Sequence, residues 1–112
     1  MSTPLEGLRV IELAHVMAGP ICGLFLGDLG ADVIKVERLP GGDTTRYFSP
    51  PEIEGESAAF MMLNRGKRGV ALDLRTEEGR TVVRQMVSSA DVVIENFRAG
   101  TMERMGLGYE DL

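Results

Sequence analysis

The sequence has little cysteine, histidine or aromatic side chain. Cys22 is the only cysteine among 112 residues, His15 is the only histidine, and tryptophan is absent. A single cysteine excludes an internal disulfide and a cysteine-based metal site, and it is typical of a reducing compartment, so we expect a cytoplasmic protein. One histidine without neighbouring cysteines gives no ligand set, and we therefore predict no metal site.

The chain also lacks a long apolar run and an excess of positive charge. No apolar stretch approaches the ~20 residues that span a bilayer, and the first ten residues do not have the pattern of a signal peptide. The net charge of −5 argues against a nucleic-acid-binding protein and against a membrane-surface role. Any bound polyanion would have to be held by a local cluster of cations.

Four short runs rich in Val and Ile have the pattern of buried parallel strands. Segments with helical spacing separate most of these runs, which predicts an α/β, Rossmann-like fold with a largely parallel sheet and flanking helices. The predicted strands cover residues 8–13, 32–37, 68–74 and 91–96.

Helix boundaries are predicted from proline, glycine and capping residues. Pro20 fits the first turn of a helix that begins near Gly19 and stops at Gly30. Gly23 and Gly27 lie on one face of this helix and would let it approach the sheet closely. Further helices are predicted over 57–64, 76–90 and 101–105, and a long surface loop over 38–56.

Polar residues that follow the predicted strands are candidate binding residues, because parallel sheets bind ligands outside the carboxyl ends of their strands. His15 follows the first strand, Arg38 the second, and Asn96, Phe97 and Arg98 the fourth. A guanidinium suits a phosphate and an aromatic ring can stack on a purine, although core packing and surface charge are plainer alternatives. We find no nucleophile–base pair, so the residues alone indicate binding chemistry.

A basic cluster of Arg65, Lys67 and Arg68 precedes the third predicted strand. It is a second candidate for phosphate binding, and its plainer alternative is a solvated turn. Because it comes before a strand, the cluster is expected at the opposite edge of the sheet unless the chain folds back.

Seven segments, in order along the chain, carry a resemblance to a known family. They are PLEGLRVIEL, HVMAGP, LGDLGADVIKVE, GGDTTR, NRGKRGVALDL, EGR and ADVVIENFRAGTMERMGLGYEDL. Together they resemble the N-terminal portion of class III coenzyme A transferases, the group that includes formyl-CoA transferase and carnitine CoA-transferase. The resemblance implies that residues 1–112 form the N-terminal part of a CoA-binding Rossmann-like domain in a larger homodimer whose chains interlock.

This resemblance implies an enzyme that moves CoA from an acyl-CoA to a free carboxylic acid, with acyl-CoA as substrate and no prosthetic group. In the family, an aspartate attacks the thioester and forms a mixed anhydride. The family's motif order implies that this aspartate lies beyond residue 112, so no catalytic residue is assigned here and residues 1–112 alone are expected to be inactive. The positions that match the family's CoA contacts are His15, Val16, Met17, Ala18, Arg38, Leu72, Arg75, Asn96, Phe97, Arg98 and Arg104.

Met17 departs from the formyl-CoA transferases, which carry a glutamine at the matching position. Because a thioether cannot donate a hydrogen bond to an oxyanion, a bulkier or less polar acyl group than formyl is favoured. Residues 15–18 match family positions near the pantetheine and thioester end. Arg38 matches a position that contacts the nucleotide.

Three other functions are weighed against this one. A 2-methylacyl-CoA racemase would share the fold and the CoA site, but the extended stretch over 41–60 resembles the transferases more. A non-catalytic CoA- or nucleotide-binding module would bind without turnover. An NAD dehydrogenase is disfavoured because the first turn lacks G-x-G-x-x-G, and although Glu37 could contact a ribose, the adjacent Arg38 indicates an extra phosphate.

Overall fold

The main sheet of the protein is entirely parallel. The structure is a computed structural model and describes residues 2–112. Its strands are β1 (Arg9–Glu12), β2 (Asp32–Arg38), β3 (Glu52–Ile53), β4 (Glu56–Ser57), β5 (Arg68–Leu72) and β6 (Val92–Ile94). The main sheet has the order β5-β2-β1-β6, while β3 and β4 form a separate antiparallel hairpin.

The predicted α/β, Rossmann-like fold is confirmed. All three strand pairings in the main sheet are parallel, and each agrees with the predicted strands to within two residues at either end. The strand order is that of one half of a doubly wound sheet, in which the crossovers change direction beside β1. A crevice is therefore expected between the carboxyl ends of β1 and β6, which lead to His15 and Asn96.

Helices flank the sheet and build its core. They are α1 (Ala18–Asp28), α2 (Ala58–Asn64), α3 (Glu77–Val87) and α4 (Thr101–Arg104). Ile11 and Val36 of the sheet pack with Val83 of α3 and Met102 of α4 in the main apolar cluster. Complete burial of one such aliphatic side chain contributes about 1.5–3 kcal/mol. Within residues 2–112, none of the helices combines the length and apolar character needed to cross a bilayer.

The cap predicted at Thr76 is confirmed, and a second helix is capped in the same way. Ser57 accepts a hydrogen bond from the Phe60 N–H at the start of α2, and Thr76 accepts one from the Gly79 N–H at the start of α3. The stop after α1 is confirmed at Gly30, whose φ of +107° is in the left-handed region that glycine adopts without cost.

The prediction of a surface loop over 38–56 is wrong for its central part. Asp43 and Thr45 are 0% and 1% exposed, and a short 3₁₀ helix covers Thr44–Tyr47. The Asp43 side chain caps this helix by accepting the Thr45 N–H. The chain returns here to the residues that follow β1, because the Asp43 carboxylate accepts the Val16 N–H.

Candidate functional site

The β1–α1 turn, residues 13–17, has a strained backbone. Val16 has a φ of +68°, a conformation that costs a non-glycine residue about 1–3 kcal/mol and that β-branched residues rarely adopt. The Asp43 carboxylate accepts the Val16 N–H at 3.2 and 3.3 Å. The Asn96 side chain accepts the His15 N–H at 2.9 Å and donates to the His15 C=O at 2.8 Å. Side chains from two distant segments therefore fix this turn.

His15 and Phe97 lie side by side after the carboxyl ends of β1 and β6. Their ring centroids lie 5.4 Å apart and their planes are tilted by 49°. Burial lowers the pKa of His15, so the imidazole is neutral at pH 7. Phe97 also packs against the main apolar cluster, which leaves only part of its ring for a ligand. The prediction that Phe97 stacks on a purine remains a prediction.

Beneath the turn lies a buried charge network made of Glu12, Lys35, Asp43 and Lys67. Lys35 Nζ is 2.9 Å from a carboxylate oxygen of Glu12 and 2.9 Å from one of Asp43. Lys67 Nζ is 2.8 Å from Glu12 Oε1, as an ion pair without hydrogen-bond geometry. The four side chains are at most 3% exposed. Two cations and two anions balance, so the network carries no net charge.

The two lysines of the network also bind the backbone near the turn. Lys35 Nζ donates to the Ala14 C=O at 3.0 Å, and Lys67 Nζ donates to the Pro20 C=O at 2.9 Å. Lys67 further donates to Asn64 Oδ1 at 2.9 Å. Burial lowers the pKa of Lys67, and the Glu12 carboxylate opposes that shift. The network thus connects the end of the sheet to the start of α1.

Asp43 is ionised in the folded protein at any ordinary pH. Burial raises the pKa of its carboxyl, but hydrogen bonds from Thr45 and Lys35, together with the charge of Lys35, outweigh burial and bring the pKa to about 2. The folded protein therefore binds a proton at this site less readily than the unfolded chain, in which the pKa is near 3.8.

Stability should fall as Asp43 is protonated. Because the pKa of Asp43 is lower in the folded protein than in the unfolded chain, its ionised carboxylate contributes about 2 kcal/mol to the free energy of unfolding. This contribution is complete above pH 4 and is lost between pH 4 and pH 2. Urea unfolding across this range should show a smaller decrease in an Asp43→Asn variant, which has nothing to titrate at this position. Identical pH slopes for the two proteins would contradict the assignment.

A second group of site residues lines the arginine cleft, defined by Arg38, Arg75 and Arg80. This cleft has a volume of about 440 Å³ and lies where β2 and β5 end. The other residues that line it are Leu39, Pro40, Asp73, Leu74 and Met105. Leu72 is the β5 partner of Arg38 in the sheet register. The structure thus brings together three predicted positions, Arg38, Leu72 and Arg75.

The three guanidiniums of the arginine cleft differ in how they are held. Arg38 Nε donates to the Gly42 C=O at 3.1 Å. Arg75 makes a two-pronged contact with Asp73, with both bonds at 2.9 Å. Arg80 donates to the backbone carbonyls of Leu74 and Arg75. Sequence reasoning missed Arg80, although an arginine in the first turns of a helix is well placed to reach the loop before it.

The remaining predicted residues lie at the same edge but make few contacts. Met17 and Ala18 are exposed at the start of α1. Arg98 and Arg104 are exposed between β6 and the end of α4, and Arg104 donates to Thr101 Oγ1 at 3.1 Å.

The two arginines of the basic cluster before β5 lie outside the site. Arg65 pairs with Asp28 at 2.7 Å, and Arg68 pairs with Asp32, at the start of β2, at 2.6 Å. These pairs lie at the amino edge of the sheet, as the position before a strand predicts. The third member of the cluster, Lys67, is buried in the network. Among residues 2–112, no three histidine, cysteine or carboxylate side chains lie close enough together to hold a metal ion.

Similarity to known proteins extends over almost the whole chain. A family model described as CoA-transferase family III matches residues 5–112. The chain is 53% identical to the succinate–glutarate CoA-transferase of Agrobacterium fabrum and 51% identical to the succinyl-CoA:mesaconate CoA-transferase of Haloarcula hispanica, over 97% and 96% of its length. It spans only 29% and 28% of those two relatives. The structure also resembles the crystal structure of a CAIB/BAIF family protein from Brucella suis, with a TM-score of 0.92 and 55% sequence identity. The match covers 99% of the present chain and 30% of the Brucella chain.

Proposed function

The chain belongs to CoA-transferase family III, and from this membership we propose that the carboxyl edge of its sheet binds the CoA part of an acyl-CoA in a protein that transfers CoA to a free carboxylic acid. The family resemblance seen in the sequence is confirmed. One observation carries the proposal: the β1–α1 turn and the arginine cleft, which hold five of the eleven matching positions, lie at the same edge of the sheet.

The arginine cleft suits the phosphates of CoA. Arginine presents donors in a fixed planar arrangement that matches phosphate oxygens. Arg38 is exposed and, within residues 2–112, only its Nε is bound, to the Gly42 C=O, so its terminal nitrogens can face a ligand. The charge of Arg75 is balanced by Asp73. Arg38 is therefore the principal phosphate contact in this proposal.

The β1–α1 turn suits the thioester end. Within residues 2–112, the N–H groups of Met17 and Ala18 have no acceptor, as is usual at a helix start. Such N–H groups stabilise a carbonyl oxygen that gains negative charge during acyl transfer. The neutral imidazole of His15 adds no charge beside them.

The acyl transfer itself is proposed to use an aspartate beyond residue 112. That carboxylate attacks the thioester carbonyl, the C–S bond breaks, and a mixed anhydride forms with release of the CoA thiolate. Two aspartates near the site are already engaged: Asp43 is buried against Lys35, and Asp73 is paired with Arg75. Neither is placed to act as the nucleophile.

The relatives' names indicate the class of acid. They refer to succinyl-CoA, glutarate and mesaconate, which are all dicarboxylic. We extend this class to the acyl groups of the present protein. Met17, with 58% of its surface exposed, would contact the carbon chain of the acid and not a polar formyl group. An interlocked homodimer and a cytoplasmic location remain predictions from the resemblance and from the cysteine content.

Loss of the Arg38 guanidinium should weaken CoA binding. In the full-length protein, Arg38→Gln is expected to raise the calorimetric Kd for CoA by about 10- to 100-fold, because a charge-assisted hydrogen bond contributes about 1.5–3 kcal/mol. The matched control is Arg65→Gln, which removes a guanidinium from the opposite edge and should leave the Kd unchanged. Equal effects of the two substitutions would count against this cleft as the phosphate site.

Two assays separate the remaining functions. Exchange of CoA between succinate and glutarate identifies a transferase, whereas loss of chirality at the α-carbon of a 2-methylacyl-CoA identifies a racemase. A non-catalytic module would bind CoA and perform neither reaction. Equal binding of CoA and dephospho-CoA would exclude recognition of the 3′-phosphate.

A further inference from the structure

Three consecutive residues of the β1–α1 turn are each held by a side chain from another segment. Lys35 binds the Ala14 C=O, Asn96 binds both backbone groups of His15, and Asp43 binds the Val16 N–H. The next two N–H groups, of Met17 and Ala18, have no acceptor in residues 2–112. The restraint therefore ends where the proposed contact with the thioester begins.

Val16 is the position at which this restraint matters most. At a φ of +68°, a valine keeps its conformation only if its surroundings hold it there. A change of Val16 to a negative φ would turn the peptide planes that follow and redirect the N–H groups of Met17 and Ala18. The Val16 N–H is bound by the carboxylate of Asp43, which is fully buried and fixed by Thr45 and Lys35.

We propose that Asp43 is a positioning residue, which holds Val16 in the left-handed conformation and so directs the N–H groups of Met17 and Ala18 at the acyl end of the substrate. This inference rests on the proposed function of the turn. The plainer alternative is that Asp43 only balances the charge of Lys35. That alternative requires a buried ion pair but no particular conformation at Val16, so the two can be separated by experiment.

Charge-balanced variants of the full-length protein test the difference. Asp43→Ala with Lys35→Met removes one ion pair of the network, the Val16 acceptor and the Lys35 bond to the Ala14 C=O, which the control below parallels by losing the Lys67 bond to the Pro20 C=O. Glu12→Gln with Lys67→Met is the matched control, because it removes the other ion pair at equal burial and leaves Asp43 in place.

The first variant should lose about 100-fold in kcat relative to the control, because small displacements at a reacting centre cost about that much. Its KM for succinyl-CoA should change less, since the arginine cleft is untouched. Adding Val16→Gly should recover about 10-fold of the lost kcat, because glycine adopts a positive φ without strain. Equal kcat values for the variant and the control, or no recovery with Val16→Gly, would overturn the proposal.

Hydrogen exchange tests whether Asp43 holds the Val16 N–H even if the charge-balanced variant does not fold. In the unmodified full-length protein, the Val16 amide should exchange about 10-fold or more slowly than the Met17 amide. Equal exchange rates would show that Asp43 does not hold the turn.

Addition of succinyl-CoA separates this inference from the proposed function. Slower exchange at Met17 and Ala18 supports both. A protected Val16 amide with no change at Met17 and Ala18 would leave the restraint by Asp43 intact and would overturn the proposed contact between the turn and the thioester.

Discussion

Replacing Glu12 with alanine is expected to lower the free energy of unfolding by about 3–5 kcal/mol, the cost of removing one partner from a buried ion pair. Glu12 is 0% exposed and lies between two ammonium groups. Lys35 would keep Asp43, but Lys67 would keep only neutral partners, Pro20 and Asn64. Urea denaturation of the variant and the unmodified protein measures the difference directly.

The size of this effect should depend on burial, and two variants test that dependence. Asp28→Asn removes an exposed carboxylate that pairs with Arg65, and it should cost less than about 1 kcal/mol. Glu12→Leu with Lys67→Met removes both charges and should recover much of the stability lost in Glu12→Ala. A loss below about 1 kcal/mol in Glu12→Ala would show that the network is not the buried ion pair described above.

Gly23→Ala should destabilise the protein by about 1–3 kcal/mol, although alanine is the better helix former. A Cβ built on Gly23 would lie 1.9 Å from Glu12 Oε1. The helix and the strand approach so closely here that either α1 or the buried carboxylate must move. Thermal or urea unfolding should therefore show a loss.

The matched control for this substitution lies one helical turn further along the same face. A Cβ at Gly27 would meet only Val33 Cγ2, at 3.6 Å, which is an ordinary contact. Gly27→Ala should therefore be neutral or stabilise the protein by up to about 1 kcal/mol. If the two alanine variants had equal stability, the close approach at Gly23 would not be a constraint.

The fold could be predicted because its signals are local. Runs of Val and Ile mark the strands, and Ser57 and Thr76 cap helices through bonds that span three residues. The right-handed crossovers that join parallel strands then leave few possible topologies. The family motifs added the candidate positions, and the structure places Arg38, Leu72 and Arg75 together at the ends of β2 and β5.

The buried charge network was missed because its members are far apart in sequence. Glu12 and Lys35 are direct partners in the β1–β2 register, yet 23 residues separate them. A usable signal did exist: Glu12 and Lys35, of opposite charge, each follow a Val-Ile pair in a predicted strand. Asp43 gave no such signal, because a carboxylate among glycines and threonines in a loop is usually exposed.

Asn96 shows a different limit of sequence reasoning. It was identified as a candidate ligand contact, and the structure shows its amide bound to both backbone groups of His15. Its contact with a ligand stays a prediction, because a residue type alone does not tell whether an amide binds a ligand or supports a neighbouring loop. Only the path of the chain after β1 decides between these roles.

The restraints on the β1–α1 turn come from segments that are synthesised later than the turn itself. Residues 14–16 take their proper form only when Lys35, Asp43 and Asn96 have docked. If a ligand binds at this turn, as proposed, it would therefore stabilise molecules in which all three segments are in place and would not recognise partly folded chains.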